Sequence, residues 1–164
     1  MDVSAANPGD VAALLAMRDD LARWLLDRGI EQWQPGELPD GWIERQVSQG
    51  WVHVVREEHN LVATVTVVPE DPIVWGHRPE PAGYVHQLMV DRRWGGKGLG
   101  AALLVWAETH ITETGRALAR LDCLRSNLRL RAYYETAGYR LVGYKDFPNV
   151  AWARETTLYE KALG

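Results

Sequence analysis

Residues 84–104 read YVHQLMVDRRWGGKGLGAALL, and this stretch decides the predicted fold. It begins with an apolar run typical of a buried strand and ends with leucines and alanines at helical spacing. Between them lies a loop with four glycines, Gly95, Gly96, Gly98 and Gly100. The N–H groups of such a loop and of the following helical turn lack internal partners, and the helix dipole adds partial positive charge. With Arg92, Arg93 and Lys97 beside it, the loop is predicted to bind a phosphate or pyrophosphate.

Two nucleotide-binding patterns compete for this loop. Residues 96–101 fit the dinucleotide fingerprint G-x-G-x-x-G/A, and Asp122 follows at about the expected 20 residues, where it would contact a ribose. An NAD(P)-binding oxidoreductase is therefore one hypothesis. However, more than half of the chain precedes the loop, and too little follows it to complete a doubly wound parallel sheet. The order of the predicted strands and helices therefore favours a ligand other than NAD(P).

Composition limits the classes of function. A length of 164 residues favours a single domain that spans residues 1–164, in which residues 1–9 form a flexible tail. The net charge of −4 argues against a nucleic-acid partner. The single cysteine, Cys123, excludes an internal disulfide, and no Cys/His cluster has zinc spacing, so no metal is predicted. No apolar run is long enough to span a membrane and no signal segment is present, which favours a cytoplasmic protein without a membrane partner.

The remaining periodicities predict an α+β fold, a mixed sheet with flanking helices. The predicted helices cover residues 10–28 and 41–49, the segment behind the glycine loop as far as Gly115, and the segment after Asn127. The predicted strands are residues 51–56 and 61–68 as a hairpin, 84–90, 118–124 parallel to it, and 139–144 and 155–162 as an antiparallel pair. Long loops are expected at 29–41 and 69–81, and a turn around Pro148 at 147–153.

A second motif follows the parallel strand. Residues 126–139 read SNLRLRAYYETAGY, in which Asn127 opens a helix, Tyr134 and Glu135 follow two turns later, and Gly138-Tyr139 closes it. Together with the strand end Leu88-Met89-Val90 and the glycine loop, this segment resembles the two signatures of the GNAT N-acetyltransferases. The chain departs from the family pattern where Gly95 replaces a Gln or Arg, so Arg92, Arg93 or Lys97 would have to supply the charge.

The resemblance implies a mixed, mostly antiparallel sheet whose parallel central strands splay apart and hold an acyl-CoA, most often acetyl-CoA. Backbone groups of the strand end would bind the pantetheine arm, and N–H groups of the loop would bind the pyrophosphate. Asn127 would bond the pantetheine from the other side. The implied cofactor-binding residues are Leu88, Met89, Val90, Arg93, Gly95, Gly96, Lys97, Gly98, Leu99, Gly100, Ala101, Asn127 and Tyr134.

The same resemblance implies catalytic roles. Tyr134 would protonate the departing thiolate, with Tyr133 in reserve, because a phenol can both hydrogen-bond and donate a proton. His86 is the first candidate for the base that deprotonates the amine, since its intrinsic pKa suits work near neutrality. Glu31, Glu37 and His77 are lesser candidates for the base. Cys123 could form a covalent acyl intermediate, but the family usually transfers directly in a ternary complex.

The leading hypothesis is therefore an enzyme that transfers an acetyl group from acetyl-CoA to a primary amine of a small molecule or peptide. The loops at 29–41 and 69–81 should form the acceptor wall, with Trp33 and Trp75 as shaping residues. A non-catalytic acyl-CoA sensor on the same fold is the main alternative. The family often dimerises, so a homodimer is among the expected partners.

Overall fold

The computed structural model describes residues 1–147 and 154–164. In these residues the elements follow the order β1 (Val3–Ala5), α1 (Val11–Leu26), α2 (Trp42–Ser48), β2 (Val52–Glu57), β3 (Asn60–Val68), α3 (Pro72–Trp75), β4 (Ala82–Val90), α4 (Leu99–Glu113), β5 (Leu118–Leu124), α5 (Leu128–Thr136), β6 (Arg140–Lys145) and β7 (Thr156–Ala162). The turn predicted at 147–153 lies, from Pro148 onward, outside the described residues. None of the described helices has both the length and the apolar character needed to cross a membrane.

The strands of the described residues form one seven-stranded sheet in the order β1-β2-β3-β4-β5-β7-β6. β4 and β5 are parallel, whereas β1 and β2, β2 and β3, β5 and β7, and β6 and β7 pair antiparallel. The parallel ladder runs from Ala82 opposite Leu118 to Val85 opposite Leu121, and both strands continue beyond that last pair. The predicted α+β fold with splayed parallel strands is confirmed, and the sheet is not the doubly wound parallel type.

One compact unit comprises Met1–Val67 and Gln87–Val105. Its apolar core joins α1, α2 and β2 through Leu14, Ile43, Val47, Val52 and Val54. The core forms because each helix carries one apolar stripe and β2 is buried along most of its length. In this unit, Gln87 takes a positive φ of 46° inside β4, which is uncommon for a residue other than glycine.

The second unit comprises Val68–His86 and Trp106–Gly164. Side chains alternate between the two faces of its strands. One face carries Gly83, Leu121 and Tyr159 and packs against helices, since the site of a Gly83 side chain lies against Ile111 of α4. The opposite face carries Tyr84 and the buried Arg120, whose guanidinium donates to Tyr84 Oη at 2.9 Å and to Glu160 at 2.8 Å. The expectation that residues 1–164 form a single domain stays a prediction.

The prediction of a flexible tail at residues 1–9 is wrong. Val3–Ala5 pairs antiparallel with β2, with Val3 opposite Val55, and Pro8–Asp10 forms a turn of 3-10 helix. Backbone hydrogen bonds supply this order, and Arg56 of β2 adds side-chain bonds to Ser4 Oγ at 2.8 Å and to Asp10 at 2.6 Å. A three-residue edge strand of small residues has no readable periodicity, so the sequence alone could not indicate it.

The contact of β4 with α4 leaves no room for a side chain at Gly83. A Cβ placed there would lie 2.4 Å from Ile111 Cγ1. We expect Gly83→Val to lower the free energy of unfolding by about 1–3 kcal/mol, because overpacking forces neighbouring groups to shift. Denaturant unfolding measures this change. Gly143→Ala in β6 is the matched control, because its Cβ would meet Leu158 at an ordinary 3.9 Å. Equal stability of the two variants would contradict the close contact.

Candidate active site

The imidazole of His86 lies between two carboxylates directly after the last pair of the parallel ladder. Its Nε2 is 3.1 Å from Asp71 Oδ2, and its Nδ1 is 3.8 Å from Asp122 Oδ1. His86 and Asp122 follow Val85 and Leu121, the last opposed residues of β4 and β5, which explains why the two side chains meet. The His86 and Asp122 side chains keep 23% and 22% of their surface accessible. The sequence-predicted base is therefore in an acidic and reachable position.

The two carboxylates change the titration of this cluster. Burial lowers the pKa of His86, but the hydrogen bond to Asp71 and the charge of Asp122 outweigh it, so the pKa lies above 6.5. Burial raises the pKa of Asp122 above its usual value, against the opposing effect of His86. The His86 imidazole is thus a stronger base than an isolated imidazole.

Asp71 is the member of this cluster that the sequence analysis did not single out. It caps α3, since its Oδ1 accepts a hydrogen bond from the Val74 N–H at 3.2 Å, and Pro72 follows it at the first helical position. That capping leaves Oδ2 to face His86. The Asp-Pro pair in the sequence is typical of a helix start and could have indicated the cap, but not its contact with His86.

Tyr134 lies on α5 and is buried, with 7% of its surface exposed. Its ring packs edge-on against Tyr139 and is tilted against Tyr159 of β7. Glu135 holds α5 in place, because Tyr159 Oη donates to its carboxylate at 2.6 Å. Burial raises the pKa of Tyr134 far above 10, so its phenol keeps its proton at neutral pH.

His86 and Tyr134 approach the parallel pair from opposite faces. His86 lies on the face of Tyr84, Arg120 and Asp122, as the alternation of β4 and β5 requires. Tyr134 packs on Tyr159, which pairs with Leu121 on the other face. A proton acceptor and a proton donor therefore lie on either side of the same pair of strands.

Asn127 is buried at the start of α5. Its Oδ1 accepts a hydrogen bond from the Leu130 N–H at 3.1 Å, which is the capping geometry predicted from the sequence. This contact explains why an Asn opens the helix. A role of Asn127 in ligand binding stays a prediction.

The glycine loop joins β4 to α4. Gly96 and Gly98 both have a φ of 77°, a region that favours glycine, and a Cβ at either position would meet nothing within 4 Å. The helix begins at Leu99, so its unpaired N–H groups follow directly. Open space beside these glycines and the start of a helix are compatible with an anionic ligand. Binding of a pyrophosphate by this loop stays a prediction.

The sequence of this chain is similar to those of known acetyltransferases. Residues 18–139 match the sequence model of the Acetyltransferase (GNAT) family. The chain is also 34% identical over 143 residues to the uncharacterized N-acetyltransferase YesJ of Bacillus subtilis (strain 168), covering 82% of this chain and 78% of the relative. The chain belongs to the GNAT acetyltransferase family.

Solved structures of acetyltransferases share the fold. A GNAT acetyltransferase from Listeria monocytogenes 4b F2365 superimposes with a TM-score of 0.79 at 27% identity, over 99% of this chain and 94% of that one. An aminoglycoside 6'-N-acetyltransferase solved in complex with coenzyme A gives a TM-score of 0.63 at 17% identity, over 100% and 98% of the two chains. The second likeness supports the fold alone.

Gly95 of this GNAT chain lies close to the backbone of the preceding turn. A Cβ there would lie 3.2 Å from the Arg92 carbonyl oxygen. The nearby basic residues are engaged: the Arg92 guanidinium lies 3.8 Å from the centre of the Trp24 ring, and Arg93 donates to Asp91 at 2.6 Å. Lys97 lies 4.5 Å above the Trp94 ring and its side chain is exposed. Among the described residues, Arg93 is thus paired with a carboxylate, whereas Arg92 and Lys97 each lie over a tryptophan ring.

The other candidate residues of the GNAT chain have different environments. Glu37 accepts a hydrogen bond from the buried Arg18 at 2.7 Å, whereas Glu31 and His77 are exposed. Trp75 is buried and packs edge-on against Tyr84. It is therefore not an exposed residue of the predicted acceptor wall. Burial raises the pKa of the Cys123 thiol to about 12, so this thiol stays protonated at neutral pH.

Proposed function

We propose that this GNAT protein transfers an acetyl group from acetyl-CoA to a primary amine by direct attack in a ternary complex. The observation that carries the proposal is the placement of His86 and Tyr134 on opposite faces of the β4–β5 pair, one as proton acceptor and one as protonated phenol. A transfer to an amine needs both, because the amine must lose a proton and the thiolate must gain one.

The donor is held by residues that the sequence analysis singled out. N–H groups from Gly96 to Ala101 bind the pyrophosphate, since the Gly95 N–H already donates to the Arg92 carbonyl oxygen at 3.2 Å, and the open positions at Gly96 and Gly98 allow close approach. Lys97 adds a charge at the same loop. Backbone groups of Leu88 and Val90 bind the pantetheine arm, as the sequence resemblance implies.

The chemical step then follows in order. His86 removes a proton from the acceptor ammonium, and the neutral nitrogen attacks the thioester carbonyl carbon. The C–N bond forms, the C–S bond breaks, and Tyr134 gives its phenolic proton to the leaving thiolate sulfur. The nitrogen loses its second proton to solvent as the amide forms, and the Tyr134 phenolate regains a proton from solvent. Cys123 takes no part, because its thiol is protonated and buried. Direct attack is therefore favoured over an acyl-cysteine intermediate.

Ligand-dependent thermal unfolding tests the donor. Because a ligand that binds only the folded state raises the unfolding temperature, acetyl-CoA and CoA should each shift the midpoint upward, and NAD and NADP should not. At a free concentration 100 times Kd, the expected stabilisation is about 2.7 kcal/mol. A shift with NAD or NADP alone would contradict the proposal.

A panel of primary amines, with release of free CoA thiol as the readout, tests the transfer. Thiol release that depends on the amine, with the acetylated amine detected by mass spectrometry, supports an enzyme. Binding of acetyl-CoA without transfer to any amine in the panel would instead favour the acyl-CoA sensor.

A further inference from the structure

We propose that Asp122 binds the ammonium group of the acceptor beside the His86 ring, and that Asp71 is the positioning residue that holds this ring for proton transfer. The inference rests on the proposed function and deepens it, because it names the residues that receive the acceptor ammonium and orient the base. It is carried by the two unequal distances from the carboxylates to the ring nitrogens.

The shorter distance assigns the resting tautomer of His86. Nε2 and Asp71 Oδ2 are 3.1 Å apart, and the negative charge of this carboxylate favours the single proton of a neutral ring on Nε2. Asp71 is itself held by its bond to the Val74 N–H, and only 10% of its side chain is accessible. Asp71 therefore fixes the orientation of the ring and leaves Nδ1 as a lone-pair acceptor.

The longer distance leaves room for a donor. Nδ1 and Asp122 Oδ1 are 3.8 Å apart, too far for a direct hydrogen bond, and both are acceptors when the ring is neutral. Thr156 Oγ1 donates to the other oxygen of Asp122, Oδ2, at 2.8 Å, which fixes the carboxylate with Oδ1 toward the ring. One ammonium group could donate to Nδ1 and to Oδ1 together, and both side chains are partly accessible.

The charges of the cluster favour a cation. Among the described residues, the charged groups that face His86 are Asp71, before α3, and Asp122, on β5. Thr156 of β7 is uncharged, and β3, the other neighbour of β4 in the sheet, has no ionisable residue. With a neutral ring the formal charge is −2, and a bound ammonium reduces it to −1.

The same three side chains are close enough together to hold a cation, since one ligand atom from each of Asp71, His86 and Asp122 lies within 4.8 Å of the others. An ammonium group needs only the Nδ1 and Oδ1 pair, which the longer of the two distances leaves open.

The proton balance sets the pH dependence. The ammonium gives one proton to Nδ1, which produces a neutral amine and an imidazolium with a carboxylate at each nitrogen. The imidazolium then loses that proton to solvent after the product leaves. Because only the neutral ring can accept a proton, kcat/KM should rise with pH through the pKa of His86, which lies above 6.5.

Imidazole NMR titration of the unliganded protein tests the cluster without requiring transfer. The chain has five histidines, and His86→Gln identifies the signal of interest. We expect the wild-type His86 to titrate above 6.5, and Asp71→Asn and Asp122→Asn each to lower its pKa. Asn is a good N-cap, so Asp71→Asn should preserve α3. Glu113→Gln, which removes an exposed carboxylate at the end of α4, should leave the titration unchanged.

Kinetics with the best amine of the panel separate the two roles. Asp122→Asn should raise KM for the amine about tenfold or more, the effect of one lost charged hydrogen bond, with KM for acetyl-CoA unchanged. Asp71→Asn should move the rising limb of kcat/KM toward lower pH and reduce kcat. Glu113→Gln should match the wild type in both.

Specific results would overturn the inference. A His86 pKa at or below 6.5 in the wild type, or one that neither Asn variant lowers, would remove the paired-carboxylate role even if transfer is observed. An unchanged KM for the amine in Asp122→Asn would show that Asp122 does not bind the ammonium group. If no amine is acetylated but the titrations behave as expected, the proposed function fails while the cluster geometry stands.

Discussion

Tyr134→Phe is expected to lower kcat by about 100-fold or more, with little change in the affinity for acetyl-CoA, because general acid catalysis contributes this much to many transfers. The phenol is buried on α5 and burial keeps it protonated, so it can give a proton to a leaving thiolate. Phe retains the ring that packs against Tyr139 and Tyr159, so the fold should be preserved. Steady-state kinetics and acetyl-CoA titration measure the two effects separately.

Tyr133→Phe is the matched comparison. Tyr133 is the adjacent residue, is 36% exposed and packs edge-on against Tyr134. We expect it to keep most of the wild-type kcat. A larger loss of kcat in Tyr133→Phe than in Tyr134→Phe would assign the acid role to Tyr133. Equal kcat values for the wild type and both variants would show that neither tyrosine is the acid.

Gly98→Ala is expected to weaken acetyl-CoA binding about tenfold or more, the effect of losing one charge-assisted hydrogen bond from the loop backbone. Gly98 has a φ of 77° and faces open space, so a methyl group would occupy the volume through which the pyrophosphate reaches the N–H groups. The left-handed backbone also costs an alanine about 1–2 kcal/mol. Calorimetric titration with acetyl-CoA measures the affinity.

Gly50→Ala separates the two causes. Gly50 lies after α2 with a φ of 72°, and its Cβ would also meet nothing within 4 Å, so both variants carry the same backbone penalty. Both should therefore lose similar thermal stability. Only Gly98→Ala should lose affinity for acetyl-CoA, and a similar affinity in the two variants would contradict the pyrophosphate role of the loop.

Local periodicity predicted most of this fold. The hairpin of β2 and β3, the parallel pair of β4 and β5, and the antiparallel pair of β6 and β7 were all expected from apolar runs and their connections. These predictions succeeded because a helix or strand imposes its own spacing on the sequence. The edge strand Val3–Ala5 was missed because its order depends on pairing with β2 rather than on its own residues.

The candidate site also has features that the sequence predicted and features that it did not. The glycine loop and the motif from Asn127 to Tyr139 could be read from the sequence, because each consists of neighbouring residues with fixed spacing. His86 was chosen as a base from its place on the central strand and from the intrinsic pKa of histidine. Asp122 was considered only as a ribose ligand, yet it faces His86 and accepts a hydrogen bond from Thr156.

The sequence by itself determined the fold class, the family resemblance and the two motifs for the donor, since these depend on short-range spacing. Only the tertiary structure decided which charges meet. Asp71 reaches His86 because the loop before α3 returns to β4, and Asp122 reaches it because the parallel ladder places β5 beside β4. Loop paths and strand neighbours are set by packing between distant segments, and no local pattern in the sequence encodes them.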